Sequence, residues 1–516
     1  MSKMPTSLQA ASRREFLRRA GALSVMGGAA PLALNLAALG TAAAQSAGDY
    51  RALVCVFLFG GNDSYNTVLA TDTASWNSYT SVRSQAPDPI ALRAAGTPPN
   101  ASAAAGSPDR LGGVLALNPI NAQGRSFALH PLLGGPASLF AAGRLAIVPN
   151  VGPLLRPTSK AEYRTSSFPK PAKLFSHNDQ QSTWQTFAAE GARTGWGGRM
   201  GDLLASGNSN AIFTSISASG NAVWLAGHTV LQYQVSTGGA IRIGGTGTST
   251  SLFGSSNGVT RLQSVMRGAR SQDLFARDFA TVVGRSIDAE AQVAAALPAA
   301  GQAPHGTPPA SGGYNAGNDP LLRYDNPLTG AQAANPLAQQ FQVVARLIAA
   351  RTALGARRQV FFVSLGGFDT HDNQNRGHAD LMARLSHALA YFDNVLGAMG
   401  LRDQVTTFTM SDFGRTFTSN GDGTDHGWGA HHFVMGGAVR GRDLYGNFPA
   451  YGTSDGRGDF TSPQQIGNGS LLPELSVDQY GATLGRWFGL SDAQLLDVFP
   501  NLAQFDASRR NLGFML

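Results

Sequence analysis

Hydrophobic residues along the chain follow two rhythms. Short unbroken apolar runs that end in Gly or Asp alternate with longer stretches whose apolar positions recur every three or four residues. The first run, "YRALVCVFLFGGNDSYN" from Tyr50, closes on Gly60, Gly61, Asn62 and Asp63. A run flanked this way predicts a strand buried on both faces. "RLAIVPNVG" (144–152), "AIFTSISAS" (211–219), "RRQVFFVSLGGFDTH" (357–371), "QVTTFTMSDFGRT" (404–416) and "HFVMGGAVRG" (432–441) predict further strands. "PLAQQFQVVARLIAARTAL" (336–354), stopped by Gly355, and "GHADLMARLSHALAYFDNVLGAMG" (377–400), with Gly400 as its C-cap, have helical spacing. Helices alternating with strands predict an α/β fold, with a central, mostly parallel sheet flanked by helices on both faces.

Two stretches break the rhythm. Residues 236–258 are rich in Gly, Ser and Thr, and residues 297–319 in Pro, Gly and Ala. Both read as loop insertions in one large domain spanning 45–516 rather than as boundaries. Segment 70–130, rich in Ala, Ser and Pro, gives no clear element.

The N-terminus belongs to a different kind of sequence. "SRREFLRRAGAL" begins at Ser12 and closely resembles a twin-arginine export signal. An uncharged Ala/Gly stretch follows, and Ala42 and Ala44 offer an A-x-A cleavage site. The stretch is poor in Leu, Ile and Phe and is interrupted by Pro31, which favours a cleaved signal over a membrane anchor. Residues 1–44 are therefore expected to be removed, with the twin-arginine translocase as partner during export and a periplasmic or secreted destination. No later segment holds 18 uninterrupted apolar residues, so no stable membrane span is expected after cleavage.

Charge then changes the picture little. The whole chain carries a formal +7, but Lys3, Arg13, Arg14, Arg18, Arg19 and Glu15 all lie in the signal. What remains has 34 basic against 31 acidic residues, with no basic face of the kind nucleic acid demands. The single cysteine, Cys55, sits inside "LVCVFLF" and is expected to be a small buried hydrophobe.

Candidate chemistry gathers where strands end. The first strand ends at Asp63, the fourth at Asp369 and His371, and the fifth at Asp412. Ligand sites of open α/β sheets lie outside the carboxyl ends of strands, so parallel neighbours would converge these groups on one crevice. "SNGDGTDHGWGAHH" then adds Asp425, His426 and one of the adjacent pair His431 and His432, of which His432 is preferred. Asp369 and His371 are two apart and face one side of an extended backbone. Clustered carboxylates repel, and a divalent cation relieves them. Mixed Asp and His donors suit Zn²⁺ first, with Mn²⁺, Fe or Ca²⁺ as alternatives. Asp422 reads as a turn residue, His378 and His387 as surface or packing residues, and His130, His228 and His305 receive no role.

Taken together, "LFGGNDSYNTVL", "FALHPLLGGPASLFAAGRLAIVPNVG", "FSHNDQQSTWQTF", "GWGGRM", "GGFDTHDNQ" and "SDFGRTFTSNGDGTDHGWGAHHFVMGGAVRG" resemble the DUF1501 family over about residues 50–500. That resemblance implies the fold of the alkaline phosphatase and sulfatase superfamily, a site with one or two metals on Asp and His, and an alkoxide that attacks phosphorus or sulfur. Carried over, Asp63 matches the first metal carboxylate, Asp369 and His371 a ligand pair, and His426 the late metal His. Asp412 stands where the superfamily has an Asp-His motif, but Phe413 replaces the His, which puts a two-metal centre in question. Ser176 fits the order of the nucleophile, with His177 assisting, although Ser176 equally suits a helix N-cap. Arg415 would grip the anion, or pair with Asp412. The implied function is exported, metal-dependent hydrolysis of a small phosphate or sulfate ester. The alternatives are an inert envelope binding or assembly protein that keeps the fold, and a purely structural metal.

Overall fold

A computed structural model describes residues 49–241, 251–268 and 273–516. The expected signal at 1–44 and part of the 236–258 loop lie outside them. Residues Tyr50–Leu516 form one compact unit. Its nine-stranded sheet comprises β1 (Arg51–Phe59), β2 (Leu145–Gly152), β3 (Ser215–Ser217), β4 (Tyr233–Ser236), β5 (Gly239–Ala240), β6 (Arg358–Gly366), β7 (Val405–Ser411), β8 (Ala430–Met435) and β9 (Leu475–Ser476). Their order is β9-β2-β8-β7-β1-β6-β3-β4-β5. β7, β1, β6, β3 and β4 pair in parallel, as do β9 and β2, while β8 runs antiparallel to both of its neighbours and β5 antiparallel to β4.

The apolar runs predicted as strands therefore form the sheet, with one strand reversed. β1 shows why its sequence is continuously hydrophobic. Ala52, Val54, Val56 and Leu58 enter one apolar layer; Leu53, Cys55 and Phe57 enter the other. A strand covered on both faces has no polar side. Six helices matter for the site: α1 (Thr73–Arg83), α2 (His177–Thr186), α3 (Trp196–Leu204), α4 (Pro336–Ala349), α5 (Gln374–Ala398) and α6 (Val477–Phe488). α4 and α5 fill the first layer with Phe341, Val344, Leu385 and Phe392. α3 and α6 fill the second with Trp196, Met200, Tyr480 and Leu484. Among the described residues no helix is long and apolar enough to cross a membrane.

Two departures from the sequence pattern bear on the site. The run 404–416 is two elements, because β7 stops at Ser411 and Arg415–Ser419 begins a separate two-stranded ribbon with Thr424–His426. Segment 70–130 holds α1, capped by Asp72 through Ser75 N, and a small antiparallel sheet of Val68–Ala70, Phe127–Leu129 and Leu115–Leu117. α1 ends on Arg83, which is wholly buried and reaches the end of β1. Its Nη1 lies 2.5 Å from Asp63 Oδ2 and its Nη2 3.0 Å from Asp63 Oδ1. The same guanidinium donates to the carbonyls of Thr416 and Phe417 on the ribbon. One side chain thus ties α1, the end of β1 and the ribbon together.

Removing one partner of a buried pair leaves the other charge without compensation. Arg83→Met should therefore lower unfolding stability by about 3–5 kcal/mol in urea titration, whereas a loss under 1 kcal/mol would dismiss the pair as a keystone. A second expectation concerns Asp478 on α6. It is buried, accepts from Asn501 N at 2.9 Å, and burial pushes its carboxyl up to about 7. The folded chain then holds this proton to higher pH than the unfolded chain does. Its stabilisation is full below the ordinary carboxylate pKa and is lost as pH rises through about 7. The melting temperature of Asp478→Asn relative to the parent should rise between pH 5 and pH 8; a constant difference would refute the assignment.

Candidate metal centre

The parallel register of β6, β1 and β7 sets three acidic strand ends side by side. Phe59 pairs with Gly366, and Leu58 with Ser411. Two glycines let the following loops close up. A Cβ on Gly60, at φ +113, would stand 2.3 Å from Asp369 N, and one on Gly61, at φ +84, 2.4 Å from the Phe413 ring. Asn62 N donates to Ser411 Oγ, which donates to Leu58 O, so the ends of β1 and β7 are bonded through one hydroxyl.

Asp369 stands at the centre, with 43% of its side chain exposed. Three imidazoles present Nε2 to it. His371 Nε2 is 3.1 Å from Oδ1, His426 Nε2 3.4 Å from Oδ1, and His177 Nε2 3.3 Å from Oδ2. His371 Nε2 and His426 Nε2 are 2.9 Å apart. Donor atoms of His177, Asp369 and His426 all lie within 4.8 Å of one another, the one such group among the described residues.

The other ring nitrogen of each histidine fixes its tautomer. His426 Nδ1 donates to the Phe175 carbonyl at 2.7 Å, His177 Nδ1 to Asp412 Oδ2 at 2.7 Å, and His371 Nδ1 to Asp425 Oδ1 at 3.2 Å. A carbonyl or carboxylate oxygen only accepts, so each Nδ1 carries hydrogen and each neutral ring turns a lone pair toward Asp369. Lone pairs that meet at 2.9 Å repel unless a proton or a cation lies between them. His177 Nε2 is, in addition, buried without a hydrogen-bond partner. Metal-bound histidines carry this same arrangement of outer partners.

Electrostatics follow from these contacts. The hydrogen bond to Asp412 raises the His177 pKa above the ordinary imidazole value against the effect of burial. Burial lowers that of His426. Partial burial would raise Asp369, but the hydrogen bond and charge of Arg415 outweigh it and hold the carboxyl below its usual range. Phe413 packs against both His177 and His426, at ring-centre distances of 4.9 and 4.7 Å.

The structure brings together Asp369, His371 and His426 and adds His177 to their group, in place of its expected role beside Ser176. Both nitrogens of His177 face carboxylates, so neither serves the Ser176 hydroxyl, which donates to Asp179 Oδ2 at 2.8 Å. Asp412 and Asp425 stand behind His177 and His371 and orient them. Gln181 Nε2 donates to the same Asp412 oxygen at 2.8 Å. Asp63 is not part of the cluster: Arg83, Gln374 Nε2 at 2.6 Å and Tyr65 N occupy its oxygens. Arg415 is not free to grip an anion. It is wholly buried and donates to Asp369, to the Gly60 carbonyl and to both oxygens of Thr424.

His432 also lies elsewhere. The pleat of β8 sends His431 against Phe448 in one apolar layer and His432 against Trp184 in the other. Burial pushes both imidazoles down to about 3. Their adjacency predicts opposite faces, but the same hydrophobic β8 carries both away from the crevice. Ser64, next to Asp63, accepts from His431 N and is likewise buried. Arg83 and Gln181 carry no sequence signal, because each acts on a carboxylate supplied by another element. His177 carried one: it follows the capping position of α2 in "FSHND", where its ring is free to face the crevice.

No curated protein matches the chain. Residues 50–499 match the family described as "Protein of unknown function (DUF1501)", and over that extent the chain belongs to the DUF1501 family.

Proposed function

We propose that this is an exported, metal-dependent hydrolase of the alkaline phosphatase type that acts on phosphate or sulfate esters. One observation carries the reading: three imidazoles, each tied at Nδ1 to an acceptor, aim Nε2 at a single partly exposed carboxylate. His177, His371, His426 and Asp369 would hold one divalent cation. Three nitrogens and one oxygen suit Zn²⁺ or another first-row ion better than Ca²⁺, which prefers oxygen alone. Such an ion, when bound, polarises an ester oxygen and lowers the pKa of water.

The chain's own residues supply the rest. Arg415 fixes Asp369, while Asp412 and Gln181 fix the tautomer and tilt of His177. Asp425 is half exposed and uses Oδ1 for His371 and Asn420. Its Oδ2 would take a proton from an attacking water. Water is favoured over Ser176 as the attacking group, because the Ser176 hydroxyl is committed to Asp179. A purely structural ion fits less well: structural sites are closed, whereas the side chains here are 25% to 43% exposed. The inert binding protein keeps one point in its favour, since Phe413 occupies the position of the second metal's histidine and no arginine is free at the cluster.

Isothermal titration with Zn²⁺ should give one site in the parent, lost in Asp369→Ala and His426→Ala. Asp412→Asn should weaken it by about 10–100-fold, and Ser176→Ala should leave it unchanged. Binding in Asp369→Ala equal to the parent removes the centre. A screen of aryl phosphates and aryl sulfates should then find turnover that falls at least about 100-fold in Asp425→Asn and survives in Ser176→Ala. Zn²⁺ binding with no turnover on any ester would favour the binding protein instead.

A further inference from the structure

A cavity of about 240 Å³ opens beside His426 and Asp425. Tyr163, Phe175 and Ile466 give it an apolar, largely aromatic wall. Neutral polar groups, chiefly Asn468 and Ser470, and the Asp425 carboxylate complete it, and no lysine or arginine lines it. Ser470 is only 4% exposed, and its hydroxyl has no hydrogen-bond partner. A buried hydroxyl left unmet is costly, so this one points to a ligand group that meets it. Asn468 is exposed; its carbonyl accepts from Thr418, and its side-chain amide remains available at the rim.

Phe175 links this cavity to the metal centre. Its carbonyl holds His426 Nδ1, while its ring lines the cavity. It achieves both at φ +71, a conformation that a bulky side chain rarely adopts. Whatever fills the cavity therefore lies directly against the imidazole that faces Asp369.

Resting on the hydrolase reading, we infer that the cavity receives the alcohol half of the ester, and that this half is a pyranose ring with no further anionic group. Size sets one limit. A cavity of about 150 Å³ takes benzene, and drug-sized ligands need about 300 Å³ or more. The space here suits a single substituted ring. Chemistry sets the other limit. The C–H face of a sugar is apolar and packs on the electron-rich faces of Tyr163 and Phe175. Its hydroxyls both donate and accept, as Ser470 Oγ and the Asn468 amide require. A plain aryl ring would leave Ser470 unmet, and an anionic alcohol would meet the Asp425 carboxylate with no lysine or arginine on the lining to offset it.

The test uses the full chain and free sugars, independent of turnover. Saturation-transfer NMR with the methyl pyranosides of glucose, galactose and N-acetylglucosamine should show binding of at least one, with phenol binding more weakly. Ile466→Trp, which fills the cavity, should weaken it at least tenfold, and Ser470→Ala several-fold. Asn468→Trp blocks the rim from an exposed position and decides the matter if Ile466→Trp does not fold. The inference fails if no pyranoside binds, if phenol binds more tightly than all three, or if the folded Trp variants bind as the parent does. Sugar binding should persist in Asp369→Ala, which loses the cation. That result separates the cavity from the metal centre, so either assignment can fall alone.

Discussion

Carboxylates at the ends of three neighbouring parallel strands cannot share one crevice unless each is met by a cation or a hydrogen-bond donor, and this requirement organises the molecule. Asp63 takes the guanidinium of Arg83, Asp369 that of Arg415, and Asp412 a hydrogen bond from the imidazole of His177. Each partner arrives from a different element: the end of α1, the start of the ribbon and the start of α2. These contacts therefore fix how three peripheral elements dock on the carboxyl edge of the sheet. Arginine suits Asp63 and Asp369 because its fork bonds a carboxylate and still reaches backbone carbonyls. Arg83 reaches those of Thr416 and Phe417, and Arg415 those of Gly60 and Thr424.

The three pairs are graded in depth. Arg83 and Asp63 are both fully buried, and Gln374 adds a further donor to Asp63, so that carboxylate has no capacity left. Asp412 is also buried, but one of its oxygens carries no hydrogen bond and the other serves His177 and Gln181. Asp369 alone of the three faces solvent, and it alone is approached by imidazole nitrogens with lone pairs. On the proposed reading, chemistry is confined to the one of the three strand ends that solvent reaches.

Much of this was legible in the chain. Unbroken apolar runs such as that of β1 mark strands covered twice, and the spacing of Asp369, His371 and His426 after such runs marks the crevice. What escaped the sequence depends on pairing across elements. Arg83 lies 20 residues beyond Asp63, in a segment with no clear periodicity, and nothing in α1 announces its target. His432 looks like a ligand by composition, yet β8 is apolar throughout and turns it into the core. Arg415 looks like an anion grip because it follows Asp412, but the backbone turns between β7 and the ribbon and delivers it to Asp369. Asp412 and Asp425 read as ligands in the chain, but the hydrogen bonds from His177 and His371 show that each holds an imidazole instead of facing Asp369.

Phe413 links these observations to the proposed chemistry. Its aromatic ring is wedged against His177 and His426 and packed so tightly on the β1 loop that Gly61 has no room for a Cβ. A ring in that place donates no ligand, but it packs against both imidazoles. In the proposed centre, Phe413 leaves room for one cation and adds packing around its ligands. On the proposed reading, a centre with one cation has no second ion to hold the leaving group. Recognition of that group must then come from beside the centre, and the cavity walled by Phe175, whose carbonyl already positions His426, adjoins it there.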